Sequence, residues 1–382
     1  MREEAARVLA RRWRPVGLAA LLAVAVVYPL VSGSALNTLF AVNTLIYVAA
    51  VSGWNIFSGY SGYISLGHAV FFGTGAYTAG LLALHQHLTG DVMFATLPLG
   101  GLTAAAVAVP FGLIALRVRR HTFVVVTIAV FFIFQLMAFN FAFTKGNMGV
   151  SAPFLNWDPA TYNDPFYYAA LIIAVAAVAL SWQIRGSAFG LRLRAIKDDE
   201  DRARGLGVRA MRTKLTAFVI SAFIIGIVGG LWFYLVGQAL PETVFDPAFD
   251  LTVALMGFLG GFGTLAGPVL GALILEPVQQ QLTIQFTNGY LSEILLGGLF
   301  LVVIVFLPRG LIPSATEWLT AGRAWQARRR PATKRGAGPS PPAGAGSASG
   351  AQGAQGAGTA AGTATGTATG TGTGTGSQGG AR

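Results

Sequence analysis

Long apolar runs, separated by short polar loops, fill residues 1–310 of this chain. A helix needs about 20 mainly apolar residues to cross a hydrocarbon core of about 30 Å. Windows near 16–32, 36–56, 64–84, 93–116, 122–143, 165–184, 215–236 and 289–307 meet that length. Residues 251–282 are apolar as well, but Gly260, Gly261 and Gly263, followed by Gly267 and Pro268, interrupt them. That stretch is expected to form either a re-entrant hairpin or two short spans. The pattern predicts an all-α, polytopic transmembrane helical bundle of 8 to 10 spans with broken or re-entrant segments.

One polar interruption stands apart. Residues 185–214 carry nine Lys/Arg and four Asp/Glu between two apolar runs. Within RAIKDDEDRARGLGV (194–208), Asp198 precedes Arg202 by four residues and Glu200 precedes Arg204 by four. Acid before base at that spacing supports a helix, as do acids near its N-terminus. Gly205 and Gly207 then stop it, so a surface helix of about two turns is predicted.

Composition agrees with a membrane protein: 54% of residues are hydrophobic and 11% charged. A net charge of +11 raises the question of nucleic acid, but the bases sit in short loops between spans. With the N-terminus inside, the basic clusters at 2–14, 117–120, 185–214 and from Arg309 onward all fall on the cytoplasmic side. The opposite loops hold Asp91, Asp158, Asp164, Glu242, Asp246 and Asp250, with Lys145 as the one base. Both termini are therefore expected in the cytoplasm, and no nucleic-acid partner is expected. Residues 1–35 share a basic start and an apolar run with secretory signals, yet the next span follows at once, so an uncleaved segment is expected. The chain divides into a basic cytoplasmic arm (1–15), a membrane domain (16–313) with its hairpin at 185–214, and a tail (314–382). After Pro331 the tail collapses into Ala, Gly, Thr, Ser and Pro. Such a composition cannot bury a core.

Candidate chemistry is sparse. Without cysteine there is no disulfide, thiolate nucleophile or cysteine metal site. No Gly-x-Ser-x-Gly elbow, His-Glu-x-x-His pair or phosphate-binding Gly-Lys-Ser/Thr loop occurs. Residues 55–77 are unusually rich in Gly and polar side chains for membrane depth, including Asn55, Gly59, Gly62, Ser65, Gly67, His68, Gly75 and Tyr77. Non-helical backbone in a bilayer must be buried in protein or face water. A broken helix beside a solute path meets that condition, and so does helix packing through glycine. The pairs Gly226/Gly230, Gly257/Gly261, Gly263/Gly267 and Gly267/Gly271 share the spacing of close helix contacts. His68 forms no metal constellation with His85, His87 and His121, and a packing or hydrogen-bonding role is expected for it. Glu276, ahead of Pro277, is expected at the membrane interface. An ion-driven secondary transporter would need coupling carboxylates or histidines at depth, and only Glu276 and His68 come near. A membrane enzyme or scaffold has no catalytic set to support it.

Four segments together resemble the permease subunit of branched-chain amino-acid ABC importers over about residues 36–313. They are GYSGYISLGHAVFFGTGAY (59–77), TKGNMG (144–149), the 194–208 hairpin and GGFGTLAGP (260–268). Tyr63 and Lys145 stand where that family commonly has Gln and Gly. The resemblance implies that the hairpin is a coupling helix seated on an ATPase subunit, with Arg194, Lys197, Glu200, Ala203, Leu206 and Gly207 in the coupling segment. Spacings of three and four place Glu200, Ala203 and Gly207 on one helical face, as docking in a groove requires. It further implies a broken helix or translocation path through Asn55, Gly59, Gly62, Ser65, Gly67, His68, Gly75, Tyr77, Gly260, Gly261, Gly263, Gly267 and Pro268. A second permease subunit, two cytoplasmic ATPases with ATP and Mg, an extracytoplasmic solute-binding protein and a bacterial inner membrane complete the implied assembly. Deleting residues 336–382 is expected to leave expression and solute uptake unchanged, checked by radiolabelled uptake in membrane vesicles; complete loss of uptake at normal expression would assign the tail a role.

Overall fold

Backbone amides in hydrocarbon have no water to bond, so a chain this apolar is driven into helices whose hydrogen bonds close within each segment. The computed structural model describes residues 22–31, 33–86, 90–141, 144–153, 157–159, 161–285 and isolated positions between 294 and 311. In order, the helices are α1 (Leu22–Val31), α2 (Ala35–Trp54), α3 (Ala69–Gln86), α4 (Leu97–Ala115), α5 (Arg120–Asn140) and α6 (Asp164–Gly186). Short α7 (Ala188–Asp198) and α8 (Glu200–Gly205) precede α9 (Ala210–Val236), α10 (Pro241–Val244), α11 (Pro247–Gly260) and α12 (Ala266–Gln285). Two-residue strands β1 (Val150–Ser151) and β2 (Gln238–Ala239) pair antiparallel, Val150 opposite Ala239.

Six helical stretches among the described residues are long and apolar enough to cross a membrane, against the 8 to 10 expected. They are Ala35–Gly59, Gly90–Ala115, Arg120–Asn140, Asp164–Gly186, Ala210–Val236 and Pro241–Gly260. The predicted 64–84 span is not one helix, because 62–67 is non-helical and α3 begins only at Ala69. Most of the 289–307 window, the start of the 16–32 window and the terminal segments 1–15 and 314–382 lie outside the described residues.

Apolarity alone does not place a helix in the core. α9 is 61% buried over its most apolar stretch and α5 only 22%, although both read as strong spans. Lipid tails receive Leu or Phe as readily as a protein interior does, so small residues decide which helices meet. At the centre α3, α4 and α9 converge on glycine. A Cβ at Gly75 would lie 1.9 Å from the Gly226 carbonyl oxygen, and one at Gly226 would lie 2.4 Å from Ala104 Cβ. Beside this contact, Phe218 of α9 gathers the rings of Phe57, Phe71 and Phe111, with centroids 4.9, 5.2 and 5.4 Å away, mainly edge to face.

The interrupted stretch 251–282 is a helical hairpin. α11 and α12 run antiparallel, close enough that a Cβ at Gly260 would meet the Gly267 carbonyl at 1.7 Å, and one at Gly271 the Met256 carbonyl at 1.9 Å. The turn between them uses φ of 128° at Gly261 and 79° at Gly263, which only glycine adopts at little cost. α12 then follows α2 along its length, from Thr264 beside Asn55 to Gln280, which donates to the Phe40 carbonyl at 3.3 Å.

Substituting Gly226 with Leu forces a side chain into the α4 contact and is expected to destabilise the bundle by at least ~3 kcal/mol. Gly205, whose Cβ would meet nothing within 4 Å, should accept Ala with no loss. Thermal unfolding in detergent compares the two.

Candidate functional site

The glycine-rich segment and the charged hairpin form one connected structure. α2 ends in a π-helical turn, Asn55–Gly59, whose residues are all buried. Asn55 points both ends of its amide at the α11–α12 turn: Nδ2 donates to the Thr264 carbonyl at 2.9 Å and Oδ1 accepts from Gly263 N at 3.0 Å. After Gly62, at φ 75°, the chain is irregular until α3 begins. Its polar groups are met from several sides. Trp54 Nε1 donates to the Ser65 carbonyl at 2.9 Å, Ser65 N to Ser58 Oγ at 3.3 Å, and Leu66 N to Thr127 Oγ1 at 3.2 Å. Gly67 passes so close to α5 that a Cβ would lie 2.7 Å from the Thr127 carbonyl.

The first amides of a helix have no partner within it. At the start of α3 they are capped by Asp250 of α11, whose Oδ1 accepts from His68 N at 3.0 Å and Ala69 N at 3.1 Å. A carboxylate at a helix N-terminus also meets the favourable end of its dipole. Asp250, expected in an outer loop, is instead 2% exposed inside α11. His68 is fully buried, bonded through Nε2 to Ser221 Oγ at 2.9 Å, in keeping with a hydrogen-bonding role. Tyr77 stacks on Phe245. Gly75, Gly260 and Gly267 meet neighbouring backbone, so in this conformation they are contact points between helices. Pro268 is buried beside them. Glu276, placed at the interface by sequence, is 4% exposed and bonded to Gln280 at 2.8 Å, because α12 continues through Pro277 and turns this face toward α2.

The hairpin departs from the single predicted helix. Asp199 takes an extended conformation and becomes the N-cap of α8, accepting from Arg202 N at 3.0 Å. Its carboxylate also pairs with Arg202, displacing the Asp198–Arg202 pair that spacing favoured; the Glu200–Arg204 pair does form. The C-terminus closes with Gly207 N on the Arg204 carbonyl at 2.9 Å and Val208 N on the Ala203 carbonyl at 3.0 Å. That wrap needs left-handed backbone, supplied by Gly207 at φ 86°.

Glu200 and Ala203, expected to face outward to a partner, face inward. Ala203 is buried, and Glu200 accepts from Tyr63 Oη and from Lys214 Nζ at 2.9 Å. Lys214, a buried cation at the start of α9, also lies 4.1 Å from the centre of the Tyr63 ring. Burial pushes the Glu200 carboxyl up, but the bonds from Tyr63 and Lys214, with the charges of Lys214 and Arg204, outweigh it and hold it below its usual range. Its contribution is therefore present at neutral pH and lost as pH falls through that lowered value. Burial and then the bond to Glu200 raise the Tyr63 phenol. Lys197 also points inward, with its ammonium pushed down chiefly by burial. Arg194 folds back onto the Arg185 carbonyl at 2.7 Å. Leu206, by contrast, is 85% exposed at the tip. Sequence reasoning missed Tyr63, Arg120, Lys214 and Asp250; the last two carried the available signal, a charge immediately before an apolar run.

These features define a multi-pass helical membrane protein whose broken second helix is tied to a charged hairpin outside the spans. Residues 36–304 match the family described as the branched-chain amino acid transport system permease component, and the chain belongs to that family. It is 32% identical over 326 residues to the high-affinity branched-chain amino acid transport system permease protein LivM of Escherichia coli (strain K12), covering 78% of this chain and 74% of the relative. The probable LivM of Methanocaldococcus jannaschii is 24% identical, covering 70% and 90%. The permease protein LivH of Salmonella typhimurium is 23% identical, covering 70% and 91%. No solved structure matches.

Replacing Asp250 with Ala strands the buried amides of His68 and Ala69, at about 1–3 kcal/mol each. Unfolding in detergent should show a loss of ~2–6 kcal/mol, and Asp250→Asn, which keeps an acceptor, a smaller one. Equal effects would overturn the capping role.

Proposed function

We propose that this chain is one permease subunit of an ATP-driven importer that moves branched-chain or related small amino acids into the cytoplasm. A second permease subunit, two cytoplasmic ATPases carrying ATP and Mg, and an extracytoplasmic solute-binding protein complete the complex, which lies in the bacterial inner membrane with both termini of this chain inside. Family membership supports the transport role. The observation that carries the coupling role is the hairpin α7–α8: a charged element outside the spans, locked to the bundle by Glu200, Tyr63 and Lys214, with its outer face free.

That outer face differs from the one the sequence pattern chose. With Glu200 and Ala203 turned inward, the surface offered to an ATPase groove is Asp201, Arg202, Leu206 and Arg209, all exposed. An apolar tip flanked by charges suits a helix laid into a groove. Nucleotide-driven closure of the ATPases would move this hairpin as a rigid body and shift the bundle between outward-open and inward-open states.

Reconstitution in proteoliposomes with the cognate ATPases and binding protein tests the reading. Leucine, isoleucine or valine bound to the binding protein should stimulate hydrolysis and drive uptake that stops without ATP. Leu206→Asp should weaken ATPase association about tenfold or more. Uptake that persists without ATPase would overturn the proposal.

A further inference from the structure

One side chain of the hairpin reaches beyond it. Lys197, near the C-terminus of α7, donates from Nζ to the Gly59 carbonyl at 2.9 Å, at the last residue of the π turn. The same ammonium lies 4.6 Å from the centre of the Phe262 ring, in the α11–α12 turn. Its stem passes over Gly62, where a Cβ would sit 3.0 Å from Lys197 Cγ. Arg120, the first residue of α5, fixes the backbone on the other side, donating to the carbonyls of Lys197 at 2.7 Å and Ile196 at 3.2 Å. Asn55 ties the π turn to the α11–α12 turn directly.

The joint has little slack. A Cβ on Gly263 would lie 2.6 Å from both Lys197 Nζ and the Gly59 carbonyl oxygen. One cation thus touches the cytoplasmic ends of α2, α11 and α12 while belonging to the hairpin. Pulling α7 away would strand an ammonium and a carbonyl in a partly buried site, and either loss is unfavourable. The segments therefore move together until that bond breaks. A π turn, which holds one more residue per hydrogen-bonded loop than an α turn, is a place where a helix end can change register.

We propose that Lys197 is a strut: it passes displacement of the hairpin to the π turn of α2 and to the α11–α12 turn, and so sets how tightly hydrolysis is coupled to movement of solute. This rests on the ATP-driven reading above. Lys197 is a positioning residue, acting through backbone it holds.

The test compares Lys197→Met, which keeps the stem and removes the ammonium, with the unaltered complex in proteoliposomes containing ATPases and binding protein. The readout is solute imported per ATP hydrolysed, which a merely structural defect does not change, since misfolded complexes lose both activities together. A roughly tenfold fall in that ratio is expected. Phe262→Leu, which keeps apolar volume but removes the ring, should lower it by a smaller factor and decides the matter if Lys197→Met does not assemble. An unchanged ratio in the variant that assembles overturns the strut. Absence of ATP-dependent uptake in the unaltered complex defeats the importer reading instead.

Discussion

Helix α2 stops being α-helical inside the bundle, and everything near it follows from the need to give its backbone partners. In hydrocarbon each unpaired amide or carbonyl costs several kcal/mol. The π turn and the irregular 62–67 segment survive because side chains supply those partners: Asp250 at the start of α3, Thr127 and Ser58 along the way, Trp54 on the Ser65 carbonyl and Lys197 on that of Gly59. These groups come from α2, α5, α7 and α11, so the break can exist only in the assembled bundle.

Close approach through glycine is the second half of that arrangement. Side-chain donors reach a neighbouring backbone only if helices lie near one another, and apolar side chains provide no strong pull in lipid. Gly75, Gly226, Gly260, Gly267 and Gly271 let α3, α4, α9, α11 and α12 meet with backbone against side chain or backbone. The distribution of glycine thus fixes which amides are within reach of which caps.

The helical class, five of the span windows, and the polar hairpin were legible because apolar length and charge clusters are local signals. The break was legible from Gly and polar density at 55–77, but its partners were not. Asp250 reads as a loop acid four residues after Asp246, and only the fold brings it to His68. The facing of Glu200 misled for a related reason: helical spacing groups residues on one face without saying whether that face meets solvent or protein. Lys145 shows the reverse case, since φ of 58° explains why a glycine commonly stands there. Sequence alone named the departure, and backbone geometry gave its meaning.

The inward lock of Glu200 by Tyr63 and Lys214 has a consequence for assembly. A loop that orders only on contact spends part of its interaction energy on freezing its own chain. Here the capped and wrapped turns of α8 are already set by contacts within this chain, so under the proposed coupling role recognition at Leu206 would begin from a preorganised shape. Affinity and speed of such docking would then depend on surface fit, with little conformational search left to make.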